Sequence, residues 1–266
     1  MSSKLASRLP FSSKTSMLRF FGTVLPACLV VAAFAGCNRG PHAQMEKGKH
    51  LFETQQYKFA IEPLTEAAEA DYPEAQYCLA KCYLEGLGVE KDVEKAFGLF
   101  QKAAEAGHAE SLTELGKCCL EGIGTTKDPK AAVNYLRIAS DARYGEAMFL
   151  LGLCLEKGEG IERDPDRAWE LIRMAAEEEE LPDAQFYLAE RFFNGNGVPR
   201  APYHAVTLYR EAAKRDFPPA QTMLGVCYEK GEGVEKDLET AIKWYRRAAD
   251  RNDSDALAAL DRLGAK

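Results

Sequence analysis

The sequence predicts an all-α solenoid, a stack of helical hairpins, and three observations carry that prediction. A pattern running from Pro73 to Gly107, PEAQYCLAKCYLEGLGVEKDVEKAFGLFQKAAEAG, returns along the chain. Its first glycine aligns as Gly86, Gly122, Gly158, Gly195 and Gly231, at spacings of 36, 36, 37 and 36. A fixed period of this length marks stacked supersecondary units. Alanines keep the same offsets in the second half of each unit, at Ala96, Ala132, Ala168, Ala205 and Ala241. Within the first unit Ala75, Leu79, Cys82 and Tyr83 recur at three- and four-residue steps, which gathers them on one helix face. The 266 residues are therefore expected to build one elongated domain.

Residues 1–36 contain Lys4, Arg8, Lys14 and Arg19 and no acidic residue, then an apolar run from Phe20 to Ala35, which has the form of a secretion signal. Pro26 and the modest length of the run argue against a permanent membrane helix, for which about 20 apolar residues are usual. The ending Phe34-Ala35-Gly36-Cys37 resembles the lipobox of bacterial lipoproteins, in which small residues precede a cysteine that is lipidated and becomes the new N-terminus. Phe34 stands where leucine is usual, and Met17 offers an alternative start. Cleavage before Cys28 is a second reading, but it would leave the apolar run on the mature chain. The resemblance implies lipidation of Cys37 and a bacterial cell-envelope location, facing the periplasm or the exterior; an uncleaved anchor or plain secretion are the alternatives. Asn38 differs from the aspartate that retains some lipoproteins at the inner membrane, and which membrane carries the anchor stays open.

Without residues 1–36 the chain has 30 basic and 41 acidic residues, a net charge of −11. That argues against nucleic acid, whose phosphates call for clustered cations, and against a broad basic membrane patch. Acyl chains rather than charge would hold such a protein to a bilayer. Residues 37–44 read as the lipidated cysteine and a short linker.

Residues 45–72 form an N-terminal capping hairpin that turns through Glu53 to Gln56 and lacks the glycine loop, terminal repeats being commonly atypical. It looks like an ordinary tetratricopeptide hairpin. Repeats follow at 73–108, 109–144, 145–181, 182–217 and 218–253, and 254–266 repeats the start of a sixth unit as a C-terminal capping helix. In each repeat the first glycine is placed to end the first helix in the left-handed conformation, and the second lets the chain double back. Asp92, Asp128, Asp164 and Asp237 fall where the second helix should begin, as N-caps. Pro129, Pro165 and Pro202 follow at a position where a missing N–H costs nothing. The fourth repeat departs from the pattern, with an insertion near Glu177 to Glu180 and Ala201 in place of the capping aspartate. Second helices carry Ala96, Leu99, Phe100 and Ala103 or Ala241, Trp244, Tyr245 and Ala248, so aromatic bulk is expected to face small residues on the neighbouring hairpin.

The run from Ala75 to Ala96 follows A-Q-Y-x-L-x-x-x-Y-x-x-G-x-G-V-x-x-D-x-x-x-A and resembles the Sel1-like repeat, a relative of the tetratricopeptide repeat. The resemblance covers nearly all of the mature chain. It implies a right-handed superhelix whose concave surface receives peptides, proteins or glycan-linked partners, and an adaptor rather than a catalyst. Mapped on the tetratricopeptide pattern, the second, fifth and ninth positions of each first helix aim into the groove. They are Glu74, Tyr77 and Lys81; Glu110, Thr113 and Lys117; Glu146 and Phe149; Asp183, Phe186 and Glu190; and Thr222. An aromatic line through Tyr77, Phe149 and Phe186, flanked by two lysines, is suited to clamping an extended peptide, although an aromatic at the fifth position also suits packing between helices.

Catalytic chemistry finds little support. Cys78, Cys82, Cys118, Cys119, Cys154 and Cys227 all fall in first helices and read as small buried filler rather than as a metal or redox site. Some exported relatives look stapled by a disulfide between the two helices of each repeat, a pattern that cannot be made here. No C-x-x-C occurs, and His42, His50, His108 and His204 are too scattered to complete a zinc site. Gly86-Leu87-Gly88 and its copies lack the strand and third glycine of a dinucleotide fingerprint, and the Glu177–Glu180 run reads as a solvated helix end. No cofactor or metal is expected. The function expected is a membrane-anchored scaffold of the bacterial envelope that binds a protein or peptide on its concave face. Alternatives are a hydrolase of cell-wall-like or β-lactam substrates, suggested by some exported relatives, and a spacer without a specific partner. An enzyme would need a nucleophile, a base and oxyanion donors in one pocket, and no such set can be assembled here.

Overall fold

A computed structural model describes residues 40–265; the expected signal sequence, the lipobox-like ending and Cys37 lie outside them. Among the described residues there are thirteen α-helices and no strand. The capping hairpin is α1 (Pro41–Glu53) and α2 (Tyr57–Glu69). Five hairpins follow: α3 (Pro73–Glu85) with α4 (Val93–Glu105), α5 (Ala109–Glu121) with α6 (Pro129–Asp141), and α7 (Gly145–Lys157) with α8 (Pro165–Glu177). Then come α9 (Pro182–Asn194) with α10 (Pro202–Lys214) and α11 (Pro218–Lys230) with α12 (Leu238–Ala249). Helix α13 (Ser254–Leu263) closes the stack. Each first helix packs on its own second helix, and each second helix on the first helix of the next unit, as in a solenoid. No helix of the described residues is long and apolar enough to cross a membrane. Helix α1 begins at Pro41, inside the span 37–44 expected as linker, and proline fits the first turn of a helix.

The expected end signals operate as backbone chemistry. Gly86, Gly122, Gly158, Gly195 and Gly231 take φ between 72° and 77° at the ends of the first helices. The chain then turns back, and the N–H of the residue capping the second helix bonds to a carbonyl of the first: Asp92 to Tyr83 at 2.9 Å, Asp128 to Cys119 at 2.8 Å, Asp164 to Leu155 at 3.0 Å. The side chains of Asp92, Asp128, Asp164 and Asp237 accept N–H bonds from the first turn they cap, and Ala201 caps nothing. The insertion lengthens the turn after α8 to the four residues 178–181, against three at 106–108, 142–144 and 215–217.

Packing corrects one expectation. The bulky residue of each second helix sits against a small residue of its own first helix, besides sharing a core with the next hairpin. Leu136, Ile172 and Tyr245, all fully buried, lie where a Cβ on Gly116, Gly152 or Gly225 would come within 2.5 to 2.6 Å of them. Phe100 with Ala80 and Tyr209 with Ala189 share a core in the same way. At the junctions between repeats fully buried alanines share these cores, Ala139 with Ala147, Ala175 with Ala184, Ala212 with Ala220 and Ala248 with Ala256. Repeats approach closely through alanine, and hairpins are filled by bulk.

The second loop glycine has a role beyond turning. A Cβ on Gly88, Gly124, Gly160 or Gly233 would lie 2.1 to 2.6 Å from backbone atoms of the preceding second helix. Gly160→Ala, 2.1 Å from the Pro129 carbonyl oxygen, is expected to cost about 2–4 kcal/mol. Gly98→Ala, inside α4 where a Cβ meets nothing, is expected to add about 0.5–1 kcal/mol. Urea melts of the two variants test this, and midpoints shifted in the same direction would refute it.

Candidate interaction face

The first helices carry a ladder of charge across the first three repeats. Lys81 pairs with Glu85 of its own helix at 2.8 Å and with Glu114 of the next at 3.6 Å. Glu114 is buried and also holds Lys117 at 3.2 Å, and Lys117 reaches Glu146 of the third repeat at 2.6 Å. Burial works to lower both ammonium groups, but the carboxylates on either side more than offset it, and both pKa values end above the ordinary lysine value. The ladder joins three first helices by alternating sign.

The aromatic line exists, but its rings are engaged with other rings of the stack. Tyr77 is half-buried, 5.2 Å from the ring of His108, the residue that caps α5, and 6.0 Å from Phe100. Phe149 meets Tyr187 edge-on at 5.7 Å, and Phe186 packs on Tyr209 at 5.8 Å and Phe217 at 5.6 Å. Two expected contact residues point inward. Thr113 is 1% exposed and donates its hydroxyl to the Ala109 carbonyl at 2.9 Å, the usual resort of a hydroxyl within a helix, so it has no surface for a partner. Thr222 is buried too and donates to the Asp253 carboxylate at 2.9 Å. Glu190 accepts the Tyr209 hydroxyl and the Asn194 amide, so its carboxylate is already engaged. Glu110 lies 3.6 Å from His108, while Asp183 is exposed at the start of α9.

A second node, which the sequence reading missed, joins the third and fourth repeats. Glu156 pairs with Arg191 and accepts the Tyr187 hydroxyl. The Arg191 guanidinium also donates to the Asn196 carbonyl at 2.9 Å and lies 5.5 Å from the Trp169 ring. Neither Glu156 nor Arg191 sits at one of the three mapped positions, and only their spacing of 35 residues, close to one repeat, hints that they meet.

None of this assembles catalytic machinery among the described residues. Six cysteines are buried and free. No group of three His, Cys, Asp or Glu able to hold a metal occurs among the described residues. Burial pushes Cys78 and Cys227 up to about 12 and Cys82, Cys118 and Cys154 up to about 11, so these thiols stay protonated at neutral pH and are poor nucleophiles.

A family model described as Sel1 repeat matches residues 73–108, 109–144, 145–179, 182–217 and 218–253. A Sel1 repeat protein from Oxalobacter formigenes is similar in structure, with a TM-score of 0.73 and 24% identity over 84% of this chain and 66% of that one. A protective antigen present in uropathogenic Escherichia coli, with an SLR fold, gives a TM-score of 0.65 and 26% identity over 86% of this chain and 50% of that one. The chain thus spans just under two thirds of the first and half of the second. A Sel1 repeat protein of Klebsiella pneumoniae gives 0.52 and 23%, over 76% of this chain and 97% of that one. Comparison with curated proteins gives no match.

The buried thiols set a pH dependence. An unfolded thiol titrates near about pH 8.5, so above that value the unfolded chain releases protons that the folded chain retains. Stability is therefore full below about pH 8.5 and falls as pH rises through the folded values. The melting temperature is expected to stay level from about pH 6 to 8 and to drop between about pH 9 and 11, and the six thiols to react with Ellman's reagent only after urea is added. Rapid labelling of all six in the native state would contradict the burial argument.

Proposed function

Because the chain belongs to the Sel1 repeat family, carrying five of its repeats between residues 73 and 253, we propose that it is a protein-interaction scaffold anchored in a bacterial envelope, with the first-helix face as its docking surface. Sel1 repeat proteins are in general protein–protein interaction scaffolds without enzymatic activity. The observation that supports the docking surface is the ladder: ion pairs with side chains 10 to 47% exposed run from repeat to repeat and can re-pair with a partner's charges. Lys81, Lys117, Tyr77, Phe149, Phe186 and Glu190 bound or floor this face, and Asp183 is exposed at its edge. The envelope location rests on the basic lead, the apolar run and the Ala35-Gly36-Cys37 ending.

Both parts have a direct test. A photoreactive amino acid at Asp183, irradiated in intact cells, is expected to give a discrete adduct that is absent when the probe replaces exposed Lys243 on α12. No adduct, or the same smear from both positions, removes the first-helix face from consideration. Cys37→Ala is expected to move the protein out of the membrane fraction, and an unchanged distribution would end the lipid-anchor reading.

A further inference from the structure

A cleft of 390 Å³ opens beneath the turn of the third repeat, lined by Leu151, Leu155, Ile161 and three arginines, Arg137, Arg163 and Arg167. Clefts lined largely by the equivalent positions, 670 and 570 Å³, open in the first and fifth repeats with Tyr83 and Tyr228 on their walls, so the site recurs with the repeat and its copies can be compared. One column decides what each cleft holds: Tyr83, Cys119, Leu155, Phe192 and Tyr228. Where an aromatic stands there, it engages a basic neighbour. Lys95 donates to the Tyr83 hydroxyl at 2.7 Å with its ammonium 4.1 Å from the ring centre, His204 meets Phe192 edge-on at 4.4 Å, and Arg210 reaches the Tyr228 hydroxyl at 3.5 Å.

The third repeat keeps the cations and loses the ring. Arg167 occupies the place of Lys95 and Arg137 that of Arg210, but Leu155 offers neither a hydroxyl nor a π-face. Among the described residues neither guanidinium has an ion pair or hydrogen-bond partner, whereas Arg173, at the place of Arg137 one repeat on, is paired with Glu177 at 2.6 Å. Arg163 gives one N–H to the Glu156 carbonyl at 3.0 Å. Of the two carboxylates beside the cleft, Asp164 is spent capping α8 through the Arg167 N–H, and Glu162 is exposed. Arg137 and Arg167, unpartnered among the described residues beside an apolar floor, complement a ligand that is acidic and carries a ring.

We propose that this cleft binds an acidic peptide segment of a partner protein, with an aromatic side chain in the place that Tyr83 and Tyr228 fill in the sister repeats and a neighbouring carboxylate on Arg137 and Arg167. The site uses residues other than those of the first-helix face, so it stands or falls separately from that reading.

The test is titration of the purified full-length protein with an EEYEE-amide peptide carrying fluorescein on its N-terminal amine, followed by polarisation. Saturable binding is expected, weakened at least fivefold by Leu155→Tyr, which gives the cations the ring and hydroxyl that Tyr83 and Tyr228 supply in the sister repeats. The same loss is expected for the Arg137→Gln, Arg167→Gln double variant, whose two exposed positions leave the core untouched, and for peptides in which alanine replaces the tyrosine or glutamine the glutamates. Equal binding to wild type and to a folded Leu155→Tyr protein would overturn the assignment; should that variant fail to fold, unchanged binding by the double variant would do so. Inorganic phosphate competing as strongly as unlabelled peptide would assign the cleft to a free anion and also overturn it.

Discussion

The fold depends on one steric arrangement: the bulkiest core side chain of each second helix sits against a residue of the first helix that has almost no side chain. Leu64 meets Gly48, Leu136 meets Gly116, Ile172 meets Gly152 and Tyr245 meets Gly225, and each of these large residues is fully buried. The pairing fixes the register of the two helices, because sliding either by a turn would place bulk against bulk. It also explains where the repeat tolerates a change of length. The single inserted residue falls in the turn between α8 and α9, outside any hairpin, so no such pair is shifted.

Left-handed backbone occurs at two kinds of turn, and space separates them. In the turn between repeats, Asp71, Arg143, Glu180, Asp216 and Asn252 all take positive φ, and Gly107 is the one glycine of that column. A side chain there costs on the order of 1 kcal/mol of strain, which a stack of well-packed hairpins can absorb. Within the hairpin loop the second glycine is kept in all five repeats, and in four of them a Cβ would strike backbone of the unit before. Conformational freedom is a preference at the first kind of turn; at the second, the missing Cβ is what allows adjacent repeats to touch.

Periodicity made the hairpins, the loops and the caps legible, because those features depend on residues close in sequence. It did not say which of two neighbours a buried side chain would meet. Phe100 and Tyr245 sit against small residues of their own first helices, and Tyr77 and Phe186 reach forward to His108 and Phe217 at the starts of the next first helices. Thr113 shows the same limit: its position matches that of groove residues in relatives, but a short side chain with a hydroxyl bonds back to Ala109 and is covered. Glu114 was overlooked because a carboxylate is rarely buried, and here it is buried between two lysines of neighbouring mapped positions. The motif glutamine gains a physical meaning only in three dimensions, since Gln76, Gln185 and Gln221 donate their amides to carbonyls at the end of the preceding repeat.

A repeat protein supplies its own comparison set, and departures from its pattern divide into those that are compensated and those that are not. The fourth repeat loses the capping aspartate at Ala201, a change worth about 1 kcal/mol in other helices. Its loop is held instead by arginines: Arg191 donates to the Asn196 carbonyl, and Arg200 donates to the Phe193 carbonyl and pairs with Glu232 of the next loop at 2.8 Å. That departure closes within the fold. At Leu155 the aromatic is gone, the two cations it would have engaged remain, and nothing among the described residues replaces it. A compensated departure says how the fold is maintained; an uncompensated one leaves chemistry directed outward, and for that reason the proposed acidic partner is placed at the third repeat.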